Sequence, residues 1–224
     1  MRYLLNMEKN ILIVSATAKE ISPFLNEYKK NPLLLNSRLD ILVSGIGLTA
    51  TTYHLSKQFQ LKKYDFVIQA GVAGSYDTSI NLGDTLIVKQ DTIADQSVVE
   101  MQKLKTLFDL KLVPHNQYPY KKGWLINPDK NLFKQAGLKT VKGISVNEIS
   151  TSKQMIKFYR DTFNPVTESM EGAAFHYVCL MEKIPFLQIR SISNYIGERN
   201  KKKWNMQESI NNLNENLKRI INNY

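Results

Sequence analysis

Six apolar runs, each of strand length, alternate along this chain with longer amphipathic stretches. They are NILIVSAT (10–17), RLDILVSGIG (38–47), YDFVIQAGVAG (64–74), GDTLIVKQ (83–90), LKTVKGISV (138–146) and IPFLQIRSIS (184–193). Near-continuous Ile, Val and Leu leave these strands no polar face. Burial on both faces belongs to a mostly parallel sheet with helices on either side, so the class is α/β. Helices are predicted over 19–30, 48–60, 152–163 and 171–183. In the last segment Trp204, Met206, Ile210, Leu213, Leu217, Ile220 and Ile221 recur at three- and four-residue spacing. That pattern is an amphipathic helix covering the sheet, with a polar face heavy in asparagine. No internal repeat or linker divides the chain, and residues 1–224 read as one domain. The irregular stretch 92–135, with Pro114, Pro119 and Pro128, is the candidate lid or binding loop.

The hydrophobic share of 43% and charged share of 22% are ordinary for a soluble globular chain. The net charge of +10 raises nucleic-acid binding as a question. The lysines are scattered, however, and the densest group, Lys201 to Lys203, occupies one short loop. No RNP-like aromatic strand, helix-turn-helix or zinc-finger spacing accompanies them, so no nucleic-acid partner is expected. A basic surface also favours acidic small molecules. The single cysteine, Cys179, sits on an apolar helix face and reads as core, and a reducing compartment is the default. The opening MRYLLNMEKN has too short an apolar run for a signal peptide. No run approaches the roughly 20 residues of a membrane span, and a cytoplasmic protein is expected.

Several stretches can carry chemistry at the C-terminal sheet edge, where α/β folds bind ligands. SGIGLTA (44–50) and AGVAGSYD (70–77) each place glycines after a strand. Neither matches G-x-G-x-x-G or the P-loop, so dinucleotide and nucleoside-triphosphate sites are disfavoured. Two such turns at one edge suit a nucleoside-sized pocket. VTESMEGAAF (166–175) offers Glu168 and Glu171, either as acids in the first turn of a helix or as ligands. In the second reading Glu171 accepts from paired ribose hydroxyls, and Arg190 holds its carboxylate oriented. Glu20, just past the first strand, is either a surface glutamate or a general base for a water. His54, His115 and His176 are far apart, and with one cysteine no metal site is expected. No G-x-S-x-G elbow marks a serine hydrolase.

Taken in order, SATAKE, GIG, AGVAG, ESMEGAA and RSISN resemble the nucleoside phosphorylase/nucleosidase superfamily over most of the chain. The resemblance implies a three-layer αβα sandwich around a central, mostly parallel or mixed twisted sheet. It also implies an N-glycosyl hydrolase or phosphorylase acting on a small purine nucleoside, with no cofactor and a homo-oligomeric state. Within the superfamily ISVNEI, SMEGAAFHYVC and IRSISNYIGERNKKKW are most similar to the futalosine hydrolases of menaquinone biosynthesis. Carried over residue by residue, Glu20 matches the activator of the attacking water. Met170 and Glu171 match the ribose-binding pair, and Arg190 matches the supporting arginine. Asn194 matches an aspartate that engages the purine, with Asn147 and Ile149 lining the base pocket by analogy. Val72, Ala73 and Gly74 form the glycine turn at the nucleoside.

Two departures carry information. Asn194 offers an NH2 to O6 or N7 of a 6-oxopurine, where an aspartate would set acceptor against acceptor. Such a misfit costs on the order of 1–3 kcal/mol. Hypoxanthine is therefore favoured over adenine, although an amide is no general acid for the leaving group. Val72 stands where related nucleosidases often carry Ser, leaving only its backbone amide as donor. The first loop carries a glutamate and no arginine, which favours water over phosphate as the nucleophile. The anionic carboxyphenyl end of futalosine is expected to meet Arg199 or a lysine within 92–135. The same-fold alternatives are a methylthioadenosine/S-adenosylhomocysteine nucleosidase and a purine nucleoside phosphorylase.

Overall fold

The structure is a computed structural model and describes residues 9–30 and 37–224. The opening segment read against a signal peptide lies largely outside the described residues. In chain order the strands are β1 (Lys9–Ser15), β2 (Ser37–Val43), β3 (Phe66–Ser75), β4 (Thr85–Asp91), β5 (Ser97–Glu100) and β6 (Lys103–Thr106). They continue with β7 (Tyr120–Lys121), β8 (Trp124–Ile126), β9 (Thr140–Ser145), β10 (Thr167–Ser169) and β11 (Phe186–Tyr195). The helices are α1 (Ser22–Lys30), α2 (Leu48–Leu61), α3 (Lys130–Ala136), α4 (Lys153–Phe163), α5 (Gly172–Glu182) and α6 (Met206–Asn223).

The six apolar runs all form strands of one mixed sheet. β1 pairs in parallel with β2 and β3, and β3 with β11. Alternation along β1 shows why its central residues, Ile11 to Val14, are all apolar. Ile11 and Ile13 pack with α1, α3 and α6 through Phe24, Leu132, Leu213 and Leu217. Leu12 and Val14 face the other way, onto Leu55 of α2 and Phe175 and Val178 of α5. Both faces are therefore dry, and helices lie on both sides of the sheet. On α6 the buried positions Ile210, Leu213, Leu217, Ile220 and Ile221 form the predicted stripe.

Half of the sheet closes on itself. β3 pairs with β11, β11 with β4, β4 with β9, β9 with β10, and β10 back to β3. This ring was not foreseen, because β10 has three residues and lies within a stretch that reads as a helix start. Glu168 accordingly sits in a strand and not in the first turn of a helix; α5 begins only at Gly172. The stretch 92–135 also holds regular structure: the β5–β6 hairpin, the β7–β8 hairpin and α3. Asp129 caps α3 by accepting from the amides of Asn131 and Leu132, and Gly137 ends it at φ 63°. Cys179 is fully buried on α5, and burial pushes its thiol well above the usual range, as suits a core position. Among the described residues no helix is long and apolar enough to cross a membrane.

Candidate active site

A cavity of about 400 Å³ opens at the C-terminal ends of β1, β3 and β11, a size that suits a small ligand. Its wall includes Glu20, Val72, Ala73 and Gly74 from the first half of the chain. From the second half come Ile149, Met170, Glu171 and Asn194, together with Glu168, Ser193 and Trp204. Arg190 lies behind this wall, 2% exposed.

Glu20 follows β1 in a short turn and is 8% exposed. Its Oε2 accepts from the Thr17 amide at 3.0 Å, the Thr17 hydroxyl at 2.9 Å and the Ser15 hydroxyl at 3.3 Å. Its Oε1 accepts from the Val72 amide at 3.0 Å. A carboxylate held by four donors, none of them charged, is fixed in direction. The turn that carries it is fastened from below by Asn214 of α6. That buried amide donates to the Glu20 carbonyl at 2.8 Å and accepts from the Phe24 amide at 3.1 Å. Asn214 was hidden in the sequence among the surface asparagines of α6; its position within the apolar stripe, one after Leu213, is the signal that marks it.

Glu171 is the N-cap residue of α5, and it caps with its backbone alone, leaving the carboxylate free. Its Oε1 accepts from the Gly47 amide at 3.2 Å, and its Oε2 lies 3.4 Å from Arg190 Nη2. Arg190 comes from the core of β11 and also donates to Gln69 Oε1 at 3.1 Å and to the Val72 carbonyl at 3.3 Å. Gly71 makes this crowding possible. A Cβ there would lie 2.5 Å from Arg190 Nη1 and 3.0 Å from Glu20 Oε1. A glycine is thus required where the two charged groups approach the same strand.

Asn194 follows a bulge: Ile192 pairs with Ala73 and Asn194 with Gly74, leaving Ser193 unpaired. Bulges of this kind re-aim side chains beside active sites. The Ser193 hydroxyl donates to Asn194 Oδ1 at 2.9 Å, and Asn194 Nδ2 donates to the Tyr195 carbonyl at 3.2 Å. One N–H of the amide is left for a ligand. Glu168, 5% exposed, accepts from the Tyr76 hydroxyl at 2.6 Å and from the Ser150 hydroxyl and amide at 2.6 and 3.0 Å.

Two residues expected at the site lie elsewhere. Asn147 is exposed, its amide donating to Asp95, and it lines a separate open groove of about 810 Å³ along α2. Arg199 is exposed and absent from the cavity wall, as is every residue of 92–135. The basic residue on that wall is Lys19, and no arginine lines it. Among the described residues no cluster of three His, Cys, Asp or Glu is arranged to hold a metal.

A family model described as the phosphorylase superfamily matches residues 10–223. Futalosine hydrolase of Thermus thermophilus is 25% identical over 183 residues, 80% of each chain. A 5'-methylthioadenosine/S-adenosylhomocysteine nucleosidase of Psychromonas ingrahamii is 30% identical over 177 residues, 74% of this chain and 72% of the relative. The solved structure of futalosine hydrolase from Helicobacter pylori shares the fold, with a TM-score of 0.78 at 21% identity over 96% of this chain and 98% of that one.

Proposed function

Because the chain belongs to the phosphorylase superfamily and is an N-glycosyl hydrolase of the nucleosidase kind, we propose that its substrate is futalosine. The reaction releases hypoxanthine and dehypoxanthine futalosine, a step of menaquinone biosynthesis. The observation that carries this reading is Asn194 on the cavity wall, an amide with one N–H unpartnered. That N–H suits O6 or N7 of a 6-oxopurine.

In the proposed reaction Glu171 and Met170 hold the ribose, and the Arg190 contact keeps the Glu171 carboxylate in place. The C1′–N9 bond breaks with its electron pair going to the purine, leaving an oxocarbenium-like sugar. Glu20 orients a water through the face of its carboxylate not used by Thr17 and Val72. The water oxygen bonds C1′ and its proton passes to Glu20. Two nearby carboxylates stabilise the developing cation electrostatically. Asn194 hydrogen-bonds the departing base, and solvent supplies its proton. Three glutamates, Glu20, Glu168 and Glu171, on the wall would repel phosphate and favour water as the nucleophile. Lys19 is the cation offered to the carboxylate end of futalosine, in place of Arg199. Exposed Ile46 and Ile149 on the cavity wall support a homo-oligomer in which a second copy covers this face.

The test offers futalosine, methylthioadenosine and inosine, each with and without phosphate, and follows base release. Rapid hypoxanthine release from futalosine, indifferent to phosphate, is expected. A preference for methylthioadenosine would favour the rival nucleosidase reading, and phosphate dependence would make the enzyme a phosphorylase.

A further inference from the structure

Glu168 is a buried carboxylate on the cavity wall to which the mechanism above gives no work. Its place in the sheet is informative. On one side of β3, Glu168 pairs with Gly74; on the other side, Asn194 pairs with the same Gly74. Paired residues on neighbouring strands project to one face, so Glu168 and Asn194 flank a position that has no side chain. A Cβ at Gly74 would overlap Ile196 Cδ1 and lie 3.3 Å from Asn194 Nδ2. In place of a side chain at Gly74, Ile196 packs over the strand, and it lines the same cavity as the two polar groups.

Two strand spacings separate their backbones by about 10 Å. Both side chains line the same cavity, one from each side of β3. We propose that Glu168 accepts the N1–H of a 6-oxopurine while Asn194 donates to O6 or N7, so that the pair reads the base from both ends. This inference rests on the nucleosidase reading and deepens it.

In all its hydrogen bonds Glu168 acts as the acceptor. Its partners, the Tyr76 hydroxyl and the Ser150 hydroxyl and amide, all act as donors. Burial first, and then the Glu168 charge, push the Tyr76 hydroxyl far above the usual phenol range, so it remains a donor. A carboxylate has about four acceptor positions, and three are filled. The open one is on Oε1, which holds only the Ser150 amide. Hypoxanthine brings a donor at N1. Adenine brings a lone pair there, which would face the carboxylate with no proton between them.

The competing role for Glu168 is structural, as a clamp that fixes Ser150 and the loop after β9. Glu168→Gln and Ser150→Ala separate the two roles, with kcat/KM measured on inosine and on adenosine. In Glu168→Gln the inosine-to-adenosine ratio is expected to fall about 100-fold, and in Ser150→Ala it is expected to hold. A parallel loss on both nucleosides in Glu168→Gln would reduce the residue to a clamp and overturn the inference. 1-Methylinosine, which keeps O6 and N7 but loses the N1–H, provides a test in the unsubstituted enzyme. Turnover reduced about 100-fold relative to inosine is expected, and turnover equal to inosine overturns the inference even if Glu168→Gln fails to fold. A wild-type preference for adenosine would overturn the 6-oxopurine reading along with it. A wild-type preference for inosine that survives in Glu168→Gln would overturn the assignment of Glu168 alone.

Discussion

The amide of Val72 donates to Glu20 Oε1 at 3.0 Å, while the carbonyl of the same residue accepts from Arg190 Nη1 at 3.3 Å. One peptide segment of β3 thus positions the proposed base and the arginine behind the ribose site. The side chain at this position is not needed for that task, which is why valine can stand where relatives often carry serine. Coupling through a backbone makes the two halves of the site sensitive to the same strand.

Glu20→Gln is expected to lower kcat by about 10²–10⁴-fold while nucleoside binding stays measurable. It also carries a structural penalty. The Thr17 amide faces Oε2 and the Val72 amide faces Oε1, so either orientation of a glutamine sets its NH2 against a backbone donor. A loss of about 1–3 kcal/mol in stability follows. Denaturant melts beside single-turnover rates separate the two effects. A variant that is folded and fully active removes Glu20 from the mechanism.

Gly71→Ala should disable the enzyme although it alters no functional group. The new methyl would sit 2.5 Å from Arg190 Nη1, and the guanidinium is too tightly enclosed to yield without losing Glu171 or Gln69. The expected loss in kcat/KM is about 100-fold or more, with a destabilisation of about 1–3 kcal/mol from overpacking. Wild-type kinetics in a folded Gly71→Ala protein would contradict this account.

Arg190→Lys tests whether charge alone suffices behind Glu171. The guanidinium meets Val72 through one nitrogen and Gln69 and Glu171 through the other. A single ammonium cannot reproduce that fork. Leaving part of this buried fork unpaired costs about 1–3 kcal/mol, and a weaker grip on the ribose should raise KM as well. An unchanged KM with intact folding would mean that a single positive charge suffices behind Glu171.

Most of the sheet is legible because its strands are buried on both faces, and a dry strand has no choice but continuous Ile, Val and Leu. The same logic fails for β10. Thr167–Ser169 is too short to show a period, and its glutamate mimics an acid at a helix start. The closed ring of strands, and with it the pairing of Glu168 with Gly74, follows from long-range register that no local pattern encodes. Glu20, Met170, Glu171 and Asn194 meet at one cavity because each lies at or just beyond a strand end. Asn147 rests on analogy and Arg199 on charge complementarity to an anionic substrate end, and both lie on loop segments whose course the sequence does not dictate.

The last prediction concerns two buried groups whose effects on stability oppose each other. Asp91 is fully buried, accepts from the Ser145 hydroxyl at 3.0 Å, and is pushed by burial up to about 6 from 3.8. Between these values the native state holds a proton that the unfolded chain has released. Stability therefore falls as pH rises from about 4 to about 6, by about 3 kcal/mol in all. His176 is fully buried on α5, its Nδ1 3.0 Å from the Leu125 carbonyl, and burial lowers it from 6.5 to about 4. Here the unfolded chain binds the extra proton, so stability rises with pH from about 4 to about 6.5 by a similar amount. The Arg190 charge lowers both groups and does not alter the opposition. Within the shared window the two slopes offset, and wild-type stability should be nearly flat with respect to this pair. Asp91→Asn leaves the histidine alone, so its stability should climb with pH; His176→Gln leaves the aspartate, so its stability should decline. Urea melts across pH about 4 to 7 read the two slopes directly. Slopes of the same sign in both variants would show that at least one of these groups keeps its ordinary protonation in the folded protein.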